Sequence, residues 1–308
     1  MKPAPSIVFF TVASGAGYGL LFWLGVLKPL GLLPANTLFG ATAAIIALAL
    51  IAAGLCSSLL HLGRPERAWR ALSQWRSSWL SREGVAAVLT FLPAIIFLIA
   101  LAHGETSLML PAGLLSAVGA AVTVYCTGMI YASLKPVKEW HHPMVAPGYL
   151  LFASLSGAAL LAMLSGFWGG GFFPALVAAA LGMAALFFKR AYWASVDATP
   201  AASTRESATG LGFIGTVRPL ESPHTESNYL LREMAFRVAR VHAAKLRSIA
   251  LLLGFALPAL FFCLAIILGG GLAIALGVLA AASALAGLLV ERWLIFAEAT
   301  HTVALYYP

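Results

Sequence analysis

Eight stretches of about twenty apolar residues, parted by short polar or glycine-rich breaks, leave this 308-residue chain one kind of architecture. A helix rises 1.5 Å per residue, so about twenty residues cross the roughly 30 Å hydrocarbon layer of a bilayer. Spanning strands would instead show short alternating segments. The runs lie near Ser6–Leu27, Leu38–Leu60, Gly84–Ala102, Leu108–Leu134, Val145–Gly166, Phe172–Trp193, Ile249–Leu268 and Leu272–Ala297. Charged residues make up only 10% of the chain, against about 25% in a soluble domain. The pattern predicts an all-α integral membrane protein, an eight-helix bundle forming a single membrane domain over residues 1–308. The first run exceeds the apolar core of a signal peptide and reads as a retained span. The eighth is expected to continue as an amphipathic end through His301 to Tyr306 and Tyr307.

Charge then orients the bundle. With eight spans, both termini and the second, fourth and sixth loops share one face. Of the 19 lysines and arginines, 18 fall on that face, and only Lys28 lies opposite. Cytoplasmic loops concentrate Lys and Arg, so both termini are expected in the cytoplasm. The net charge of +8 is accounted for by loops that touch anionic lipid, with no nucleic-acid role. The long connection between the sixth and seventh spans, residues 194–247, is then cytoplasmic. It begins with a Ser-, Thr- and Ala-rich tether (Asp197–Thr209), and its Gly210–Gly215 run lacks the spacing and βαβ setting of a dinucleotide fingerprint. A helix is expected from Asn228 to Arg247, capped by Ser227 or Asn228. A loop of this length with its own helix is expected to dock a partner.

Cys56, Cys126 and Cys263 lie far apart in apolar runs and form no CxxC, which argues against iron–sulfur, zinc and c-type haem sites in this chain. None of the seven histidines lies mid-span, so no facing pair for a buried haem is evident. His61 and His301, at same-face ends of the second and eighth spans, leave an interfacial haem open. No charged residue lies near the middle of a span either, which weighs against an ion-driven transporter. Ionisable groups crowd the cytoplasmic boundary instead: His61, Glu83, Glu291, Arg292, Glu298 and His301. Glu298 and His301 stand three apart, on one helical face. Quinone chemistry moves two protons with two electrons, so a histidine at a ring oxygen and a carboxylate relay would serve it. The competing reading is that these side chains anchor helix ends by snorkelling. The small-residue run Ser14–Gly19 reads as helix packing.

The run Leu60-His61-Leu62-Gly63-Arg64-Pro65, followed by Arg67-Ala68 and by Ser78-Trp79-Leu80-Ser81-Arg82-Glu83, resembles the membrane-anchor subunit of DMSO reductase. The segment Gly210–Arg247 and the end Glu291 to His301 resemble the branch serving cytoplasmic sulfite-oxidising molybdoenzymes. The resemblance implies a three-part complex in the bacterial inner membrane, working in anaerobic or sulfur respiration. A molybdopterin catalytic subunit and an iron–sulfur subunit hold the metal sites, and this chain, without haem, exchanges electrons with menaquinone or ubiquinone. It also places quinol binding at His61. The expected quinone site therefore comprises His61, Gly63, Arg64, Trp79, Glu83, Glu298 and His301, with His61 on a ring oxygen and Arg64 polarising the other side. Arg67, Arg70, Arg76, Arg82, Arg232, Arg237 and Arg240 are expected to dock the iron–sulfur subunit. A secondary transporter and a purely structural anchor are the alternatives. The terminal substrate and the direction of electron flow lie beyond the residues of an anchor.

Overall fold

The computed structural model describes residues 3–60, 62–200, 203–221 and 238–302, the side chains of 238–241 excepted. Eight helices in it are long and apolar enough to cross a membrane. They are α1 (Pro5–Leu27), α2 (Thr37–Leu59), α3 (Trp79–His103), α4 (Thr106–Ala132), α5 (Val145–Gly166), α6 (Phe172–Ala198), α7 and α8 (Gly270–Ala297). The rod α7 runs from Val238–Leu251 through one π turn, Leu252–Ala256, into Leu257–Leu268.

Helices α1 and α5 are 72% and 78% buried over their most apolar stretch, the other six only 33–39%. The bundle is therefore built around an α1–α5 pair, with the remaining helices presenting their outer faces to lipid. Lipid tails offer no hydrophobic drive for helices to associate, so close backbone approach supplies the attraction. A Cβ on Gly157 would sit 1.9 Å from the Gly19 carbonyl carbon, so the α1–α5 crossing exists only with glycine there. The small-residue run in α1 packs as expected. At the π turn, Gly254 abuts Gly287 of α8, and the Ser283 hydroxyl donates to the Leu253 carbonyl at 2.7 Å. That bond satisfies backbone which an α-helix would have satisfied internally.

Several helices extend beyond their apolar runs, because a hydropathy window sees only the part in hydrocarbon. Helix α3 starts at Trp79 rather than Gly84, with Ser78 as N-cap, and so takes Glu83 into its second turn. Helix α6 continues to Ala198, past Trp193. The first half of the helix expected over Asn228–Arg247 falls outside the described residues; from Val238 onward it is continuous with the seventh span. The eighth span does not continue to His301. It ends at Ala297, and His301 instead forms an isolated antiparallel bridge with Val137. The Thr302 amide donates to the Pro136 carbonyl at 3.0 Å, which draws the chain away from the helical path. Tyr306 and Tyr307 lie outside the described residues.

Candidate functional site: two buried polar groups at the cation-rich end

The first group joins α3 to α4. Glu83 is 5% exposed and accepts a hydrogen bond from the Thr127 hydroxyl. Thr127 Oγ1 also lies 3.0 Å from the Thr123 carbonyl, one turn back. The Thr123 and Thr90 hydroxyls meet at 3.3 Å one turn deeper, continuing the polar seam between these two helices. No lysine or arginine forms an ion pair with Glu83 among the described residues. At the mouth of α3, Trp79 makes an edge contact with Tyr125, and the Arg82 guanidinium stacks over Trp79 at 4.3 Å. Arg82 also donates to the Trp75 and Arg76 carbonyls at 2.9 and 2.7 Å, closing the α2–α3 connection onto α3.

That connection is a 3-10 helix, Pro65–Gln74, with no buried residue. Gly63, Arg64, Arg67, Arg70 and Arg76 are all exposed on it or beside it. Arg70 lies over Trp69, and Arg76 over Trp75; the two indoles are 67% and 53% exposed. His61, Arg232 and Arg237 lie outside the described residues, as does the side chain of Arg240.

The second group joins α6, α7 and α8. Lys189, Glu291 and Arg292 are 2%, 0% and 4% exposed. Glu291 pairs with Lys189 Nζ at 2.5 Å and with Arg292 Nε at 2.8 Å. Arg292 stacks on the Tyr149 ring of α5 at 4.0 Å, and Lys189 on Tyr192 and Trp193 at 4.2 and 4.7 Å. Aromatic faces attract a desolvated cation. Nearer the surface, Arg247 of α7 grips Asp197 with two nitrogens, at 2.6 and 3.1 Å, and Glu298 with Nε at 2.9 Å. Burial holds the Glu298 carboxyl above its ordinary range, with Arg247 opposing.

The α4–α5 loop clamps this second group. Tyr192 donates to the Glu139 carbonyl at 2.7 Å, Trp140 to the Ile295 carbonyl at 2.7 Å, and the Thr300 amide to the Glu139 carboxylate at 3.0 Å. A polar cavity of about 280 Å³ opens here, lined by Glu139, Asp197, Arg247, Glu298 and Thr300 among others.

The described members of the expected quinone site therefore fall on different parts of the bundle. Glu83 and Trp79 sit at the α3–α4 edge; Glu298 and His301 sit at the end of α8, where Glu298 is committed to Arg247. Neither Lys189 nor Thr127 was singled out from the sequence. A lysine inside an apolar run was the available signal for the first. A threonine in a membrane helix carries none, since it commonly satisfies its own backbone. Among the described residues, no three His, Cys, Asp or Glu side chains gather as metal ligands do.

Known proteins share this chain's sequence along its whole length. Residues 1–307 match the family model described as DMSO reductase anchor subunit (DmsC). The chain is also 34% identical to a sulfite dehydrogenase subunit of Allochromatium vinosum over 327 aligned residues, covering 100% of this chain and 99% of that one. A whole-length match of this kind fixes membership: the chain belongs to the DMSO reductase anchor subunit family, membrane subunits of oxidoreductase complexes.

Proposed function

We propose that this chain is the quinone-reactive membrane anchor of a molybdopterin oxidoreductase complex of the sulfite dehydrogenase type, in the bacterial inner membrane. The cation-rich end, by its 18-to-1 share of Lys and Arg, faces the cytoplasm. There the iron–sulfur subunit docks, between the quinone and a molybdopterin subunit. The exposed arginines and indoles of residues 64–76 form one part of the docking surface. The connection after α6, with Phe213, Ile214 and Leu220 at 86%, 72% and 100% exposure, forms another. Exposed aromatic and apolar groups beside arginine are what protein interfaces concentrate.

One observation supports the site most strongly: Glu83 is a buried carboxylate at the cytoplasmic boundary, bonded to one neutral hydroxyl and to no cation among the described residues. A group so placed exchanges a proton without breaking an ion pair. Thr127 has one proton for two acceptors, Glu83 and the Thr123 carbonyl; a proton on Glu83 Oε1 lets that oxygen donate to Thr127 while Thr127 donates to the Thr123 carbonyl. Glu83 is the proton-exchanging group of the quinone site, to which we also assign His61 and Arg64, residues that follow α2 in the chain. An apolar cavity of about 330 Å³ between α1, α4 and α5, lined by Tyr18, Phe22 and Val124, suits an isoprenoid tail.

The test is Glu83→Gln in the assembled complex, with sulfite as donor and decylubiquinone as acceptor. Loss of quinone reduction with the complex intact supports the assignment; undiminished reduction removes it. The transporter alternative draws on the buried Lys189–Glu291–Arg292 cluster, but there the carboxylate is held by both cations, within a chain of the anchor family.

A further inference from the structure

The 3-10 helix between α2 and α3 runs for ten residues and buries none of them, whereas 3-10 runs seldom exceed three or four. Contacts from outside therefore hold it, and its C-terminal carbonyls show which. The Gln74 carbonyl accepts from the Ser77 and Ser78 amides, at 3.1 and 2.9 Å. The next two carbonyls are taken by a side chain. Arg82, the residue before Glu83, donates Nε to the Trp75 carbonyl at 2.9 Å and Nη2 to the Arg76 carbonyl at 2.7 Å. A helix C-terminus leaves carbonyls unsatisfied and carries partial negative charge, so a guanidinium suits it. The face of the same guanidinium lies on Trp79 at 4.3 Å, and Trp79 leans on Tyr125 of α4. A second contact lies two residues further along α3. Leu72 of the 3-10 helix rests on Gly84, where an added Cβ would stand 2.7 Å from Leu72 Cδ2. These contacts land on residues 79, 82 and 84, on both sides of Glu83.

We propose that Arg82 is a positioning residue of the quinone site, strapping the α2–α3 connection to the turn of α3 that carries Glu83. The inference rests on the quinone reading of Glu83. In that reading the site draws on two elements: Glu83 belongs to α3, and Arg64 is the N-cap of the 3-10 helix. Their relative placement follows from how the connection is held on α3, and Arg82 holds it. From the sequence, Arg82 was expected to dock the iron–sulfur subunit. In the fold, two of its three nitrogens and its stacking face are turned onto this chain. Arg67, Arg70 and Arg76, exposed on the same connection, stay available for docking. A strap acts on quinone binding, while Glu83 and Thr127 keep their own geometry for the chemical step. Its loss therefore raises KM and spares kcat. A docking arginine has another signature: its loss releases the partner subunit, and a lysine of equal charge substitutes in part.

The experiment compares Arg82→Lys and Arg82→Gln with Glu83→Gln in the purified complex, measuring subunit content, and kcat and KM for decylubiquinone with sulfite as donor. Both Arg82 variants should retain every subunit, raise KM about tenfold and hold kcat within about twofold. Lysine should do no better than glutamine, because it keeps the charge but loses the flat fork and the stacking plane. With Glu83→Gln inactive, a wild-type KM in either Arg82 variant overturns the strap alone. So does loss of the iron–sulfur subunit from Arg82→Gln that Arg82→Lys restores. Activity in Glu83→Gln overturns the site reading on which the strap rests. If neither Arg82 variant assembles, Leu72→Ala decides, since it removes the second contact at an exposed side chain. It should raise KM about threefold with assembly intact, and a wild-type KM there overturns the proposal.

Discussion

The two buried polar groups at the cation-rich end of this bundle solve the problem of charge in a bilayer in opposite ways. Between α3 and α4, Glu83 stands against one neutral hydroxyl. Between α6, α7 and α8, every carboxylate is matched: Glu291 by Lys189 and Arg292, and Asp197 and Glu298 by Arg247. An ion pair in a low-dielectric setting keeps its members ionised, because neutralising either one strands the other. A carboxylate held by a hydroxyl has no such constraint. The matched cluster thus supports the fold and fixes dipoles, while the unmatched carboxylate is free to change protonation during a reaction.

The contrast is broken most severely by Glu291→Ala. This leaves Lys189 and Arg292 buried without a counter-charge, and loss of one partner from a buried pair costs about 3–5 kcal/mol. Thermal unfolding in detergent should show a large fall in midpoint, or the complex should not assemble. Glu83→Gln should behave differently. It keeps shape and an acceptor for Thr127, so the unfolding midpoint should move little, while quinone reduction falls on the order of 100-fold, as loss of a general acid–base group does. Should the two variants be equally unstable, the distinction between the groups is lost.

A smaller effect is expected at the surface side of the cluster. Arg247 is about one quarter exposed, so solvent screens its pairs. Arg247→Lys loses the two-nitrogen grip on Asp197 and cannot also reach Glu298 in the same geometry. The stability loss should be about 1 kcal/mol, readable as a lower midpoint and more rapid proteolysis near the α6 end.

The smallest effect concerns pH. His142 Nδ1 accepts the Met144 amide at 3.2 Å, so Nε2 carries the proton toward Ser195 Oγ at 3.0 Å, and the ring is neutral. Burial lowers its pKa below the ordinary histidine value. The folded state therefore binds this proton less readily than the unfolded state. Its stabilising contribution is full well above about pH 6.5 and declines as pH falls through that value toward the folded pKa. Acidification from about pH 7.5 to about 5.5 should lower the unfolding midpoint of wild type slightly more than that of His142→Gln.

Much of the fold was legible because membrane helices announce themselves through length and apolarity, and all eight spans are where those runs lie. Their ends were less so. The turns at residues 79–83 and 190–198 are helical yet polar, because interfacial residues complete helices that hydrocarbon no longer demands. The stretch 58–83 marked Glu83 through its resemblance, but nothing along the chain announces that Thr127, 44 positions away, is its partner. His301 illustrates the reverse case. Helical spacing put it on a face with Glu298, and a backbone bridge to Val137 took it off the helix.

The sequence by itself determined the number of spans, their order and the unequal share of charge between the two faces. These follow from solvent: a bilayer demands about twenty apolar residues per crossing, and the cation bias of loops acts locally. Tertiary structure alone decided which ionisable groups meet. Lys189 of α6 reaches Glu291 of α8, and Arg292 of α8 reaches Tyr149 of α5, contacts that exist only once the helices are packed. A side chain's partner in a membrane depends on helix rotation and crossing, and one-dimensional spacing does not encode either.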